Sequence, residues 1–299
     1  MNKKLTSVLF ILIATIIWGS AFVSQNVAMS HMQPIAFQAV RCFVAVIGML
    51  PVMLIADKFK KDGKSFWSRW TDAALWKAGL LCGIPLFFAC NLQQLGLVDT
   101  DAGKAGFLTA MYIIIVPIIG IFRKQKQGIS LLISVILATI GLYFLSCSEG
   151  FHMQIGDLLL LGCALMFSIQ ITVVDKYGAT VDAFRLNTIQ ALVCGVLSAI
   201  IMLFTNTTPS LTDITDCIWP LIHTGIISMG IAYGLQILGQ RYLPSTIATL
   251  LMSLESVFAA LFGAWLLHER MTGNELLGCF LMFSAVLISQ IPVKEKVHP

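Results

Sequence analysis

Charge is what this sequence has least of. Of its 299 residues, 19 are Lys or Arg and 15 are Asp or Glu, 11% together, against 58% hydrophobic residues. Soluble domains carry about a quarter charged residues, so this balance excludes an ordinary water-surrounded fold and puts the chain in the membrane class. Histidine is also scarce: His31, His152, His223, His268 and His298 stand far apart. The eight cysteines never form CxxC or a Cys/His cluster, which leaves no zinc or redox pattern and makes them small buried hydrophobes. Cys147 and Cys217, near helix ends on the expected outer side, are within the reach of a disulfide-permitting compartment. HExxH, GxSxG and the Walker glycine loop are missing, and with them the commonest motif-bearing routes to an integral membrane enzyme.

What the chain does have is long apolar runs. A spanning helix needs about 20 mostly apolar residues, and hydropathy places ten spans, at 5–27, 34–56, 74–97, 102–122, 129–147, 155–174, 183–205, 217–240, 245–267 and 274–291. The expected fold is therefore all-α and integral to the membrane, with no room for a soluble domain. The opening Met1-Asn2-Lys3-Lys4 before LTSVLFILIATIIW imitates a secretory signal. Its apolar stretch is long and lacks a small-x-small cleavage site, so it reads as a retained first helix.

Basic residues orient the spans. With the amino terminus inside, inner segments hold Lys3, Lys4, Lys58, Lys60, Lys61, Lys64, Arg69, Arg123, Lys124, Lys126, Lys176, Arg241, Lys294 and Lys296, and the outer loops hold Arg270. That asymmetry places both termini in the cytoplasm. The segment DKFKKDGKSFWSRW, Asp57 to Trp70, mixes cations and aromatic rings as an inner-leaflet surface would, with basic groups toward lipid phosphates.

The word LQQLG at Leu92 to Gly96 returns as LQILG at Leu235 to Gly239, 143 residues later, and the register runs on to Gly120 over Gly263. Phe22-x-x-Gln25 matches Phe167-x-x-Gln170 at offset 145, and Gln38-x-x-Arg41 matches Asn187-x-x-Gln190 at offset 149. Unequal loops account for the drift. Residues 1–147 and 148–299 thus read as two five-span halves, and an odd number of spans makes them inverted copies. Inverted repeats are the architecture of alternating access, with the binding site between the halves near the midplane.

Residues three and four apart share a helical face. Trp18, Phe22 and Gln25 with Thr15 form such a stripe, Asn91 and Gln94 another with Gln93 turned away, and Tyr233 and Gln236 with Gln240 a third; Tyr112 follows Lys104 and Leu108. Gln38 and Arg41 correspond to Asn187 and Gln190. Each glutamine either lines a shared cavity or bonds a neighbouring helix. Charges in hydrocarbon are costly and mark function or pairing. Arg41 either receives a cargo carboxylate or neutralises Glu255, and Glu255, the acid placed deepest, either carries a coupling proton or acts as a structural acceptor. Lys104 beside Asp99 and Asp101 reads as a rim ion pair. Pro85 and Pro117 stand inside spans, where they kink a helix or bend it statically.

Trp18-Gly19, the Pro34 to Arg41 spacing, LQQLGLVDTDAGKAGFLTAMYIIIVP and SLESVFAALFGAWLLHERMTGNELLG together resemble the EamA-type permeases of the drug/metabolite transporter superfamily. The resemblance spans both halves and implies a ten-helix inverted-repeat carrier of the cell inner membrane, exporting amino acids, related metabolites or drugs, with no cofactor and no metal. The family's Gly-Glu-Arg stands here as His268-Glu269-Arg270, and Ala260 stands where Pro117 would predict a proline. The expected site joins Trp18, Phe22, Gln25, Arg41, Asn91, Gln94, Tyr112, Gln170, Gln190, Tyr233 and Gln236 around the cargo, with Phe167 packing its apolar part and Glu255 in the coupling role. Expected partners are a small-molecule substrate and membrane lipid, not nucleic acid; the chain works as a monomer or homodimer, and import or a membrane enzyme are the competing readings.

Overall fold

In hydrocarbon each backbone N–H and C=O has to find its partner within the chain, so apolar runs of this length become helices. The computed structural model describes residues 2–60, 62–100, 102–124, 128–146, 154–266 and 271–289, without the side chains at 99, 102–104 and 146. Among them there is no strand. The helices are α1 (Lys3–Met29), α2 (Pro34–Lys58), α3 (Ala73–Asp99), α4 (Ala102–Thr109), α5 (Tyr112–Phe122), α6 (Ile129–Ser146), α7 (Ile155–Tyr177) and α8 (Ala183–Phe204). After them come α9 (Leu211–Asp216), α10 (Ile218–Ile222), α11 (Tyr233–Gln240), α12 (Ser245–Met252), α13 (Glu255–Leu266) and α14 (Gly273–Ser289).

Eight segments are long and apolar enough to cross a membrane, and the runs Ile129–Leu145 and Gly273–Ser289 are shorter apolar helices. The expectation of ten full-length spans thus meets eight long ones and two short ones. Lipid-facing Ile47, Phe122, Ile136, Phe204 and Leu287 are exposed, as an apolar solvent permits. Local signals set the helix ends: Asp72 and Asp182 accept amides of the first turns of α3 and α8, and Pro34 opens α2, where a missing N–H costs nothing.

Three of the expected spans are not single α-helices. The fourth breaks at Ala110–Met111 and the ninth at Ser253–Leu254. Pro117 lies inside α5, and its ring crowds the carbonyl four residues earlier, just past the first break. Ala260 offers no such cause, yet the ninth breaks as well. There the Thr249 and Ser253 hydroxyls donate back to the Thr246 and Leu250 carbonyls, both at 2.9 Å, which competes with the helix ladder. Pro85, by contrast, is absorbed within a continuous α3. The eighth widens into a π-helix over His223–Ala232, between α10 and α11.

Packing sets the cavity at the centre. A large apolar cluster from Ile11 to Ala285 joins residues of most spans. The short helices α6 and α14 cross at Gly141 and Gly278: a Cβ on Gly278 would lie 2.6 Å from the Gly141 carbonyl, so small residues let the backbones touch. Seven cysteines are buried and free, among them Cys217, while Cys147 lies outside the described residues.

Two basic groups of the segment read as a lipid-facing surface, Lys60 and Arg69, are engaged within the protein. Lys60 bridges Asp57 at 3.2 Å and Asp182 at 2.6 Å, and Arg69 reaches Asp57 at 3.5 Å and bonds Asp62. Arg185, unnoticed in the sequence, is fully buried and donates to Asp57 from Nη1 and Nη2, its planar face near the rings of Phe66 and Trp70. Of the four aromatic residues in this segment, Phe59 and Trp67 are largely exposed.

Candidate functional site

The central cavity is walled by side chains from nine elements. The helix α1 supplies Trp18, Ala21, Phe22 and Gln25, α2 Arg41, α3 Gln93 and α5 Tyr112; α7 supplies Phe167, Gln170 and Ile171, the π-helix Ser228 and Met229, α11 Tyr233 and Gln236, and α12 and α13 supply Met252 and Glu255. It holds about 570 Å³ free of protein atoms, the open space at its mouth included.

Of the thirteen residues expected at the site, Trp18, Phe22, Gln25, Arg41, Tyr112, Phe167, Gln170, Tyr233, Gln236 and Glu255 meet here. The other three stand behind the wall. Asn91 donates to the Phe87 carbonyl and to Ser198 Oγ, both at 2.8 Å, and so ties α3 to α8. Gln94 donates to Gln25 Oε1 from behind. Gln190 accepts from Gln170 at 3.2 Å and donates to Asn187 at 2.8 Å. In α3 the expectation is reversed, because it is Gln93 that faces the cavity; helical spacing groups residues by face but does not say which face is inside. Ser228 and Met229 were missed because the π-helix shifts the face its residues present.

Arg41 is 4% exposed, its Nη1 donates to Gln25 Oε1 at 2.7 Å, and its guanidinium lies over the Phe37 ring. Its Nε has no partner among the described residues, nor has the indole N–H of Trp18 or Oε1 of Gln236. Glu255 stands at the first residue of α13, where helix N-termini favour carboxylates, and accepts from the Tyr112 hydroxyl at 3.0 Å. No ion pair joins Arg41 to Glu255 or to any other carboxylate among the described residues. The structural-pair alternative for these two groups is thereby corrected: a cation and a carboxyl face one cavity separately. The apolar wall is aromatic, with Trp18 and Tyr233 in edge contact at 4.9 Å between ring centres.

At the end of the bundle where α1 finishes and α2 begins, a second, wider opening is lined by Asn26, Met29, His31, Gln33, Asn206 and Asp213 among others. The Lys104, Asp99 and Asp101 rim cluster and the Glu269-Arg270 motif fall outside the described residues or side chains.

The chain matches the model of the EamA-like transporter family twice, over residues 5–147 and again over 154–290. It is 34% identical over 295 residues to an uncharacterized transporter of Archaeoglobus fulgidus, covering 97% of this chain and 88% of that one. The uncharacterized transporters YwfM and YoaV of Bacillus subtilis are 27% and 21% identical, with at least 93% of each chain covered. A solved structure superposes with a TM-score of 0.77 at 15% identity, covering 95% of this chain and 96% of that one, which is a likeness of fold. With apolar membrane-length helices around a polar cavity, the chain belongs to the EamA-like transporter family and is a multi-pass membrane protein.

Proposed function

We propose that this protein is a secondary transporter that exports small zwitterionic metabolites of the amino-acid class by alternating access. The observation that carries this reading is the separation of Arg41 and Glu255 in one aromatic-walled cavity. A buried guanidinium with an unbonded Nε suits a cargo carboxylate. Glu255, held by a single neutral hydroxyl, suits a cargo ammonium or a proton exchanged for it. Trp18, Phe22, Phe167 and Tyr233 would pack the apolar part.

The alternating-access part of the reading takes the chain as ten spans, the two short apolar helices included, with both termini cytoplasmic and residues 1–147 and 148–299 as inverted halves. Several observations support it. The family model recurs in each half. The two helix breaks, at Ala110–Met111 and Ser253–Leu254, lie 143 residues apart, as LQQLG and LQILG do. Tyr112 bonds Glu255 and Cys90 contacts Tyr233, each pair again 143 apart. Contact between equivalent residues is what a twofold axis through the cavity produces.

The test compares wild type with Glu255→Gln at matched membrane levels, following metabolites inside cells and in the medium by untargeted mass spectrometry. Enrichment outside with depletion inside, weakened in the variant, is expected. Accumulation inside would reverse the direction, and equal flux in both strains would remove Glu255 from coupling.

A further inference from the structure

We infer that Asn187 is a positioning residue that holds the cavity wall of the eighth span in its π-helical form and thereby brings the Ser228 hydroxyl to the cargo. This rests on the cavity being the cargo site, as proposed above.

A π-helix embedded in an α-helix leaves one carbonyl over. The Tyr233 amide is shared between the Gly230 carbonyl and, five residues back, the Ser228 carbonyl, and so passes over the Met229 carbonyl four residues back. Once the α pattern resumes, the next amide reaches four residues back, to Gly230, and the Met229 carbonyl is skipped. Met229 is buried, so an unmet carbonyl there would be costly. Asn187 on α8, itself fully buried, meets it: Nδ2 donates to the Met229 carbonyl at 2.9 Å and to that of Gly230 at 2.7 Å. Its orientation is fixed from the other side, because Gln190 donates to Asn187 Oδ1 at 2.8 Å and itself accepts from cavity-lining Gln170. Without Asn187 the same sequence satisfies that carbonyl by returning to α-helical turns.

The widened form has a consequence for the wall. On an α-helix, residues five apart point about 140° away from each other, so Ser228 and Tyr233 could not both face one cavity; here both line it. The first half has no such device. At offset 149 Asn187 corresponds to Gln38, which donates to the sulfurs of Cys42 and Cys194 instead. At offset 143 Ser228 corresponds to Pro85, inside the continuous α3. Asn187 therefore makes the two halves of the wall unlike, and puts a hydroxyl on one side only.

The experiment reads the wall in the absence of cargo. The thiol of Ser228→Cys is labelled with a small maleimide in purified, lipid-reconstituted protein, and its rate is read by peptide mass spectrometry, alone and combined with Asn187→Leu, which keeps the volume and removes both donors. Labelling of that thiol is expected to slow about tenfold in the double variant, while the thiol of Ala21→Cys, on the α1 side of the same cavity, keeps its rate. Hydrogen exchange is expected to change over 223–232 and not over 80–89. Should Asn187→Leu fail to fold, Gln190→Leu, which frees the Asn187 carboxamide to turn, takes its place with the same direction expected. Unchanged labelling and exchange would overturn the assignment, and so would slowing at both thiols, which marks collapse of the whole cavity, or faster labelling at both, which marks general unfolding. Because no transport is measured, neither result bears on the transporter reading.

Discussion

Replacing Arg41 by Gln removes the charge and keeps a polar side chain beside Gln25. In the wild type the guanidinium is 4% exposed, spends Nη1 on Gln25 Oε1 at 2.7 Å, and keeps Nε unbonded among the described residues. If a cargo carboxylate completes that set, its loss removes hydrogen bonds to a charged group, about 1.5–3 kcal/mol. At 1.4 kcal/mol per tenfold, the half-saturating cargo concentration should rise roughly 10- to 150-fold. Folding should survive, because among the described residues no carboxylate pairs with Arg41 and no opposite charge is left stranded. Arg41→Lys should recover part of the loss, a point charge without the planar fork. The assay is counterflow of a labelled mixture of neutral amino acids in proteoliposomes, with initial rates over a range of concentrations. A half-saturating concentration unchanged in Arg41→Gln, with normal protein content, would refute the carboxylate assignment; a fall in maximal rate alone would move Arg41 from recognition to conformational change.

Three further outcomes follow from the packing. Arg185→Met should lower stability by about 3 kcal/mol, the lower end for breaking a buried pair, because Lys60 and Arg69 still face Asp57; thermal unfolding in detergent reads it, and the half-saturating concentration should not move. Gly278→Ala should cost about 1–3 kcal/mol, since its Cβ meets backbone atoms of α6 at 2.6 Å, and Gly273→Ala, with open space around it, should cost less in the same assay. Burial alone would raise the Asp182 carboxyl, but bonds from Lys60 and the Arg185 amide outweigh it and hold the group below its ordinary 3.8. A depressed carboxyl contributes stability above its unfolded value and loses it as pH falls through the folded one. Asp182→Asn, which keeps the helix cap, should therefore melt earlier than wild type at pH 7, and the gap should close below about pH 4; a gap independent of pH would assign the effect to packing.

The sequence by itself determined the solvent and the inventory. Hydropathy marked each helical run, because in lipid a long apolar segment has no other way to satisfy its backbone. Repeated spacing brought forward the residues of the polar stripes, and Trp18, Phe22, Gln25, Tyr233 and Gln236 do meet at one cavity. Only the tertiary structure decided which side of each stripe is the inside. Gln93 and Gln94 are adjacent and chemically identical in sequence, and what separates cavity wall from second layer is the neighbour that Gln94 finds in Gln25. The same holds for the charges. Arg41 and Glu255 could have cancelled each other, and Arg185, inconspicuous in its run, could have been free; distances between helices far apart in the chain settled both. The π-helix was equally beyond reach of the local sequence, because the group that satisfies its left-over carbonyl, Asn187, lies 42 residues away on another helix.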